Sequence, residues 1–430
     1  MIKLPGVLTS NSNNKIYVGF NLGERFCQIS YCTNDGRVDT ISAIAGGEEY
    51  NIPTVLCKRE GVNQWFYGRE AVKYAAENDG VLIDNLLGKA LDGEPVLIEG
   101  VNYQPISLLS LFIKRCMSLV QAASNDKLQG VLFTADYMDY DHMEILREAV
   151  GALKLKAEKI YFQSHMESFY HYMIHQPNEL WQAGCILFEY ETDEIKVYRM
   201  VSNLHTDPVV VYIEDSAFPM PDGSRTNEPD MEYELLQMDK TFTNIARDAC
   251  ETEKTYSVFL IGSSFSDNWM KESKKYLCGK YRVFQGSNLY SKGACFGLID
   301  RMLDLQVGKD NIFLGNDKLT ANIGMNILRQ GDLKYFALLD AGVNWFDADA
   351  AFDFYIQDTN VIEVRVCSLI GGGDFTASIS LDEFSGKLSR MHAHLYLENV
   401  KSLVVEIEDL GLGEFRASSN KVWRESIALY

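Results

Sequence analysis

The sequence lacks the features that mark secreted and membrane-spanning proteins. It contains nine cysteines but no Cys-x-x-Cys pair, and scattered thiols of this kind are typical of a reduced compartment rather than of a disulfide framework. The N-terminal residues, MIKLPGVLTSNSNN, contain only a short apolar run and do not resemble a signal peptide. No stretch reaches the roughly 18 apolar residues that a membrane span needs. We therefore expect a cytoplasmic protein.

Positive charge is also scarce. The 430 residues include 40 Lys and Arg against 60 Asp and Glu, so the formal net charge is −20. A chain this acidic repels phosphate backbones and anionic lipid headgroups, so neither nucleic acid nor a membrane is expected as a partner. Solubility is the simpler reason for the charge.

Patterns for nucleophilic catalysis and for metal binding are missing as well. No Gly-x-Ser-x-Gly and no Ser-His-Asp arrangement occurs. Cys27 and Cys32 lie at opposite parities of one predicted strand, so they face opposite sides and support no catalytic thiol. Glu167, His171 and His175 share one helix face, which predicts either a metal site or a polar surface; the polar surface is favoured because no further ligand signature accompanies them. No catalytic and no metal residue is therefore assigned.

Two parts of the chain differ in pattern. Up to about residue 305, buried strands alternate with helical segments, and the polar stretch Pro208–Met231 is interpreted as a loop or a small subdomain. Further on, short alternating runs separated by Gly, Asp and Asn predict an antiparallel sandwich. The predicted domains are an α/β part over residues 1–305, a linker over 306–315, and an all-β part over 316–430.

Five segments carry a family resemblance through their order along the chain. They are KIYVGFNLGERFCQISY (Lys15–Tyr31), GREAVKYAAENDGVLIDNLLGK (Gly68–Lys89), the stretch Gly130–Met173, VFLIGSS (Val258–Ser264) and IGMNIL (Ile323–Leu328). In this order they resemble the DnaK-type heat-shock chaperones of the actin-like ATPase superfamily. The helical lid of those chaperones has no counterpart in the sequence given, so the resemblance is to a divergent, lidless member.

The resemblance implies a fold. It predicts an α/β actin-like (ribonuclease-H-like) double domain with lobes over roughly 1–183 and 184–305. An all-β sandwich resembling a chaperone peptide-binding domain follows. In the family, the cleft between the lobes binds ATP.

The nucleotide motifs are where the sequence departs from the family. By resemblance, Asn21 replaces an aspartate while Gly23 is kept, Asp84 stands in place of the phosphate lysine, and Ser164 in place of a glutamate. The second hairpin has no glycine, and two unit charges ~4 Å apart repel by about 4 kcal/mol at an effective dielectric near 20, so its acidic residues oppose a phosphate. The degenerate nucleotide cleft comprises Asn21, Gly23, Asp84, Ser164, Glu189, Glu191, Asp193, Gly262 and Ser263.

The resemblance also places a peptide groove in the sandwich. Its residues are Met325, Leu328, Phe352, Ile362 and Val364. For Ile362 and Val364 a core position is an equal alternative.

These observations predict non-catalytic, chaperone-like binding of a protein or peptide by a pseudo-ATPase. No cofactor is expected, and ATP with Mg²⁺ is the disfavoured case. One alternative is a divergent ATPase or sugar-kinase-like enzyme that holds Mg²⁺ through Glu189, Asp193 and Asp84. Another is a structural scaffold that assembles through its acidic surface or its sheet edges.

Overall fold

The computed structural model describes residues 2–3, 15–33, 36–44, 47–77, 80–123, 127–151, 160–221, 228–370 and 373–429. Most of the N-terminal segment considered for a signal peptide lies outside these residues. The chain divides into two compact units, Met1–Asn311 and Ile312–Tyr430. The boundary lies within the segment 306–315 that the sequence predicts as a linker.

The first unit alternates strands and helices. Its helices are α1 (Gly68–Glu77), α2 (Leu86–Asp92), α3 (Pro105–Ala123), α4 (Tyr140–Gly151), α5 (His165–Ile174), α6 (Glu228–Thr252), α7 (Glu272–Lys280), α8 (Leu289–Leu303) and α9 (Gln306–Lys309). Its strands are β1 (Ile2–Lys3), β2 (Lys15–Leu22), β3 (Phe26–Thr33), β4 (Arg37–Thr40), β5 (Ile52–Pro53), β6 (Leu56–Lys58), β7 (Trp65–Tyr67), β8 (Val81–Ile83), β9 (Val96–Ile98), β10 (Val101–Tyr103), β11 (Lys127–Ala135), β12 (Ile160–Ser164), β13 (Cys185–Tyr190), β14 (Glu194–Asn203), β15 (Val209–Pro219), β16 (Ser257–Ile261) and β17 (Arg282–Gly286), and β18 (Asn311–Phe313) lies at the boundary of the two units.

The two large sheets of the first unit repeat one topology. One sheet contains the order β4-β3-β2-β11-β12 and the other the order β15-β14-β13-β16-β17. In both, the first three strands are antiparallel neighbours, and the last two run parallel to the central strand and to each other. The unit therefore contains a structural repeat without a recognisable repeat in the sequence.

Helices α5 and α8 cross closely and pack under the first sheet. A Cβ at Gly293 of α8 would overlap the carbonyl of Ser168 in α5, and a Cβ at Gly19 of β2 would overlap the backbone of Ser291. Only glycine permits these approaches. The crossing brings His165, at the start of α5, and Tyr290, at the start of α8, into ring contact.

One predicted element is wrong. Within the stretch Pro208–Met231, interpreted as a loop or a small subdomain, residues Val209–Pro219 form β15, which pairs with β14 from Val210 to Pro219. Its polar appearance arises because residues 214–219 are exposed. The predicted strands Cys185–Tyr190 and Ser257–Ile261 are confirmed at the same bounds.

Helix α3 corrects the expectation that no segment has the length and apolarity of a membrane span. Its 19 residues meet that test by length and composition, with a mean hydropathy of 1.4. Side chains such as Leu109, Phe112 and Ile113 are buried in the core of the first unit. Packing in that core accounts for the apolar character of the helix.

The second unit consists of two four-stranded antiparallel sheets that share one core. The strands are β19 (Ala321–Arg329), β20 (Asp332–Leu339), β21 (Asp349–Ile356), β22 (Val361–Ser368), β23 (Phe375–Ser380), β24 (Ser389–Asn399), β25 (Ser402–Gly411) and β26 (Val422–Ala428). The sheet orders are β20-β19-β22-β23 and β21-β24-β25-β26. Apolar side chains from both sheets, among them Val366 and Leu395, form a single cluster.

Candidate functional site

A cavity of about 380 Å³ opens in the first unit where both repeated sheets end. The end of β2, the start of β3, the β13–β14 hairpin and the starts of α5 and α8 form its walls. The lining residues are Asn21, Gly23, Glu24, Arg25, Phe26, Gln28, Asn51, Asp136, His165, Glu189, Glu191, Thr192, Glu194, Lys196, Ile261, Gly262, Ser287, Leu289 and Tyr290. We call this cavity the cleft.

A chain of polar contacts crosses the floor of the cleft. His165 Nε2 lies 2.7 Å from Asn21 Oδ1. The ring of His165 stacks on Tyr290 with centroids 3.9 Å apart. The hydroxyl of Tyr290 donates to Glu189 Oε2 over 2.9 Å. The cleft therefore links the first sheet to the second through side chains that are buried or, in the case of Glu189, half-buried.

Lys196 and Asp136 form an ion pair at the mouth. Lys196 Nζ lies 2.6 Å from Asp136 Oδ2, and the two side chains are 34% and 47% exposed. The pair neutralises one of the two cationic side chains that line the cleft. The sequence analysis did not identify Asp136. This residue directly follows the buried strand β11, which runs parallel to its neighbours β2 and β12. Functional side chains commonly lie at the carboxyl ends of parallel strands, so this position could have been considered.

Burial and neighbouring charge shift the pKa values of the cleft. Burial, together with the charges of Asp136 and Glu191, raises the pKa of Glu189 to about 7. Burial lowers the pKa of His165 to about 4, so the imidazole is neutral. For Asp136, burial opposes ionisation, but His165 and Lys196 outweigh it and lower its pKa.

The cleft contains part of the predicted nucleotide site. Asn21, Gly23, Glu189, Glu191 and Gly262 line it. A Cβ at Gly262, where φ is +111°, would overlap the carbonyl oxygen of Tyr190, so the close approach of β13 requires glycine.

The remaining predicted residues do not line the cleft. Asp84 follows the small sheet β7-β6-β8 and pairs with Lys89 of α2 at 3.0 Å, so it is not positioned as a phosphate ligand would be. Ser164 caps α5 by accepting from the Glu167 amide. Asp193 lies in the hairpin turn and accepts from Thr192. Ser263 donates to Glu191 Oε2 over 2.8 Å and fixes that carboxylate.

The acidic and histidine face of α5 is buried instead of solvated. Asp300 of α8 contacts His171 at 2.8 Å and His175 at 2.9 Å, while Glu167 pairs with Arg301 at 2.7 Å. Burial opposes ionisation of Asp300, but its bonds to both histidines hold its pKa at about 2. Within the described ranges, no three His, Cys, Asp or Glu side chains converge as metal ligands would.

A second cavity, of about 710 Å³, lies in the second unit. Of the residues that the resemblance assigns to a peptide groove, Met325, Leu328, Phe352 and Ile362 line this cavity, and Met325 and Ile362 are also buried in the core of the unit. Val364 does not; it is 1% exposed and belongs to the core, because its side chain points between the sheets. Leu328 and Tyr355 are 74% and 65% exposed. We call this cavity the groove.

A divergence of two strands forms the groove. Strand β19 pairs with β22 from Ala321 to Gly324 and, among the described residues, no further. Beyond that point Met325–Arg329 pairs only with β20, and Val361–Val364 only with β23. Strand β21, an edge strand of the other sheet, contributes residues 352–356 to the lining. The facing edges of β19 and β22 are left without strand partners.

Comparison with known families gives two matches. A model described as the C-terminal part of a family of unknown function, DUF5716, matches residues 37–316. A model described as a domain of unknown function, DUF8552, matches residues 318–429. No curated protein matches the chain. The two ranges meet close to the boundary between the structural units.

Proposed function

The chain belongs to the DUF5716 family. We propose that it is a non-catalytic, chaperone-like protein that binds an extended peptide strand in the groove of its second unit. The observation that carries this proposal is the divergence of β19 from β22. Edge strands present unpaired N–H and C=O groups that add a further strand readily.

The dimensions of the groove suit a short segment. The unpaired edges span Met325–Arg329 on one side and Val361–Val364 on the other. At about 3.3 Å per residue, four to five peptide residues would fill the gap. Backbone pairing on both sides supplies affinity that does not depend on peptide sequence.

The side chains at the groove add a preference for apolar peptides. Leu328 and its cross-strand neighbour Leu333 are 74% and 71% exposed, and Phe336 is 37% exposed. Exposed apolar groups clustered in this way mark interaction surfaces. Arg329, Asp353, Glu363 and Arg365 at the rim are of balanced charge, which favours a neutral peptide.

The cleft of the first unit supports the non-catalytic part of the proposal. The two large sheets beside the cleft share one topology, which is consistent with an actin-like ancestry. However, Glu189 and Glu191 lie on the hairpin where the resemblance would place nucleotide phosphates. Lys196, the cation on that hairpin, is bound to Asp136. Negative charge on the walls opposes a triphosphate.

Fluorescence anisotropy of a labelled, neutral octapeptide with alternating leucines tests the proposal. We expect saturable binding and at least tenfold weaker binding of the same peptide with alternate backbone nitrogens methylated, because methylation removes strand pairing while keeping the side chains. Leu328→Ser should weaken binding at least about tenfold, since burial of a leucine contributes roughly 1.5–3 kcal/mol.

Leu97→Ser is the matched control, because Leu97 is a leucine of the first unit that is 66% exposed. It should leave the affinity unchanged. Equal affinity for the methylated and unmethylated peptides would refute strand pairing, and no binding at millimolar peptide would refute the proposal.

A further inference from the structure

The cleft of the first unit is rich in hydrogen-bond acceptors. Its lining includes the carboxylates of Glu24, Asp136, Glu189, Glu191 and Glu194. The lining cations are Arg25 and Lys196, and Asp136 already holds Lys196. The walls therefore carry an excess of negative charge that no lining side chain balances.

A buried histidine nitrogen gives independent evidence for a missing donor. His165 is 7% exposed and lines the cleft. Its Nε2 carries the proton, because it contacts the acceptor Asn21 Oδ1. Its Nδ1 is then a bare acceptor, and among the described residues no hydrogen-bond partner meets it.

Asp136 cannot satisfy that nitrogen. Its Oδ1 lies 3.8 Å from Nδ1, and both atoms are acceptors. A buried polar atom without a partner costs free energy, which a ligand carrying N–H groups would recover. An ammonium or guanidinium nitrogen lying beside this pair of acceptors, about 2.9 Å from each, would direct one N–H group to Nδ1 and another to the Asp136 carboxylate.

We infer that the cleft binds a small organic cation whose ammonium or guanidinium N–H groups bond His165 Nδ1 and the surrounding carboxylates. The volume of about 380 Å³ lies in the range of small-molecule sites. This assignment does not depend on peptide binding by the second unit.

Calorimetry of the full chain with putrescine and agmatine tests the inference, with butane-1,4-diol as the neutral analogue of putrescine. We expect heat and a thermal shift from a cation and neither from the diol. Binding should weaken with added salt, because a charge pair is screened. Glu189→Gln should weaken binding about tenfold, and Glu60→Gln, a change at an exposed carboxylate outside the cleft, should not.

Proton release separates direct contact from a structural effect of the substitution. A bound cation favours the charged form of Glu189, so binding near pH 6.5 should release protons, seen as a dependence of the heat on the ionisation enthalpy of the buffer. The release should disappear in Glu189→Gln. The inference is overturned if the diol binds as well as putrescine, if neither cation binds at millimolar concentration, or if Glu189→Gln binds and releases protons like the parent.

Discussion

Replacing Glu189 by Gln should change the pH dependence of stability in a specific direction. The pKa of Glu189 is raised from 4.5 to about 7 by burial and by neighbouring carboxylates. Between these values the folded chain binds more protons than the unfolded chain, so the contribution of Glu189 to the free energy of unfolding falls as pH rises. Glutamine keeps an oxygen that can accept from Tyr290 and does not titrate in this range.

The magnitude follows from the shift. One pKa unit corresponds to about 1.4 kcal/mol, so the shift corresponds to at most roughly 3 kcal/mol. Because Glu189 is partly exposed to the cavity, we expect about 1–2 kcal/mol. Glu189→Gln should match the parent near pH 5 and be more stable by that amount at pH 8.

Comparison with the parent chain is needed because His165 acts in the opposite sense. Burial lowers the pKa of His165 from 6.5 to about 4, so the contribution of His165 to stability falls as pH drops through this window. The two effects partly cancel in the parent, and the difference between variant and parent isolates Glu189.

Urea unfolding of both chains at pH 5, 6, 7 and 8 measures the difference. Glu194→Gln controls for removing one carboxylate from the same hairpin, because Glu194 is exposed. A constant offset between the Glu189→Gln and parent curves across this range would refute the reasoning.

Two further predictions concern the cleft and the helix crossing. Titration with ATP or ADP and Mg²⁺ should give no binding heat and no thermal shift at millimolar nucleotide, because carboxylates line the hairpin; a clear Mg²⁺-dependent signal would contradict the non-catalytic proposal. Asp300→Asn should lower the free energy of unfolding by about 3 kcal/mol at pH 7 in urea unfolding, because it removes the carboxylate that contacts two histidines. Asp304→Asn is the control, because the side chain of Asp304 is 78% exposed, and it should change stability by less than about 0.5 kcal/mol. Similar losses in the two variants would show that the Asp300 contacts contribute little.

Strand positions could be predicted where burial was complete. Ser257–Ile261 is apolar after its first residue and is buried throughout, so its composition indicates a strand without knowledge of its neighbours. Strand β15 was missed because residues 214–219 are exposed and the first three of them, Glu214, Asp215 and Ser216, are polar. This segment is a strand because it pairs with β14, and that pairing cannot be recognised from the local sequence pattern.

The site was predicted only in part, for a related reason. Asn21 lies near the end of the buried strand β2 and Gly262 directly follows β16, and both were identified from the hairpin and strand motifs. Asp136 directly follows β11 and was not predicted. The groove depends on the point at which β19 stops pairing with β22, after Gly324, and strand register over such distances is not encoded in the local sequence.

Three side chains of the predicted nucleotide site have hydrogen-bond partners in or beside the walls of the cleft. Asn21 contacts His165, Glu189 accepts from Tyr290, and Glu191 is fixed by Ser263. The ordered walls leave His165 Nδ1 as a buried acceptor. Acidic walls with one buried acceptor that lacks a donor favour a cationic ligand in the cleft over a nucleotide phosphate.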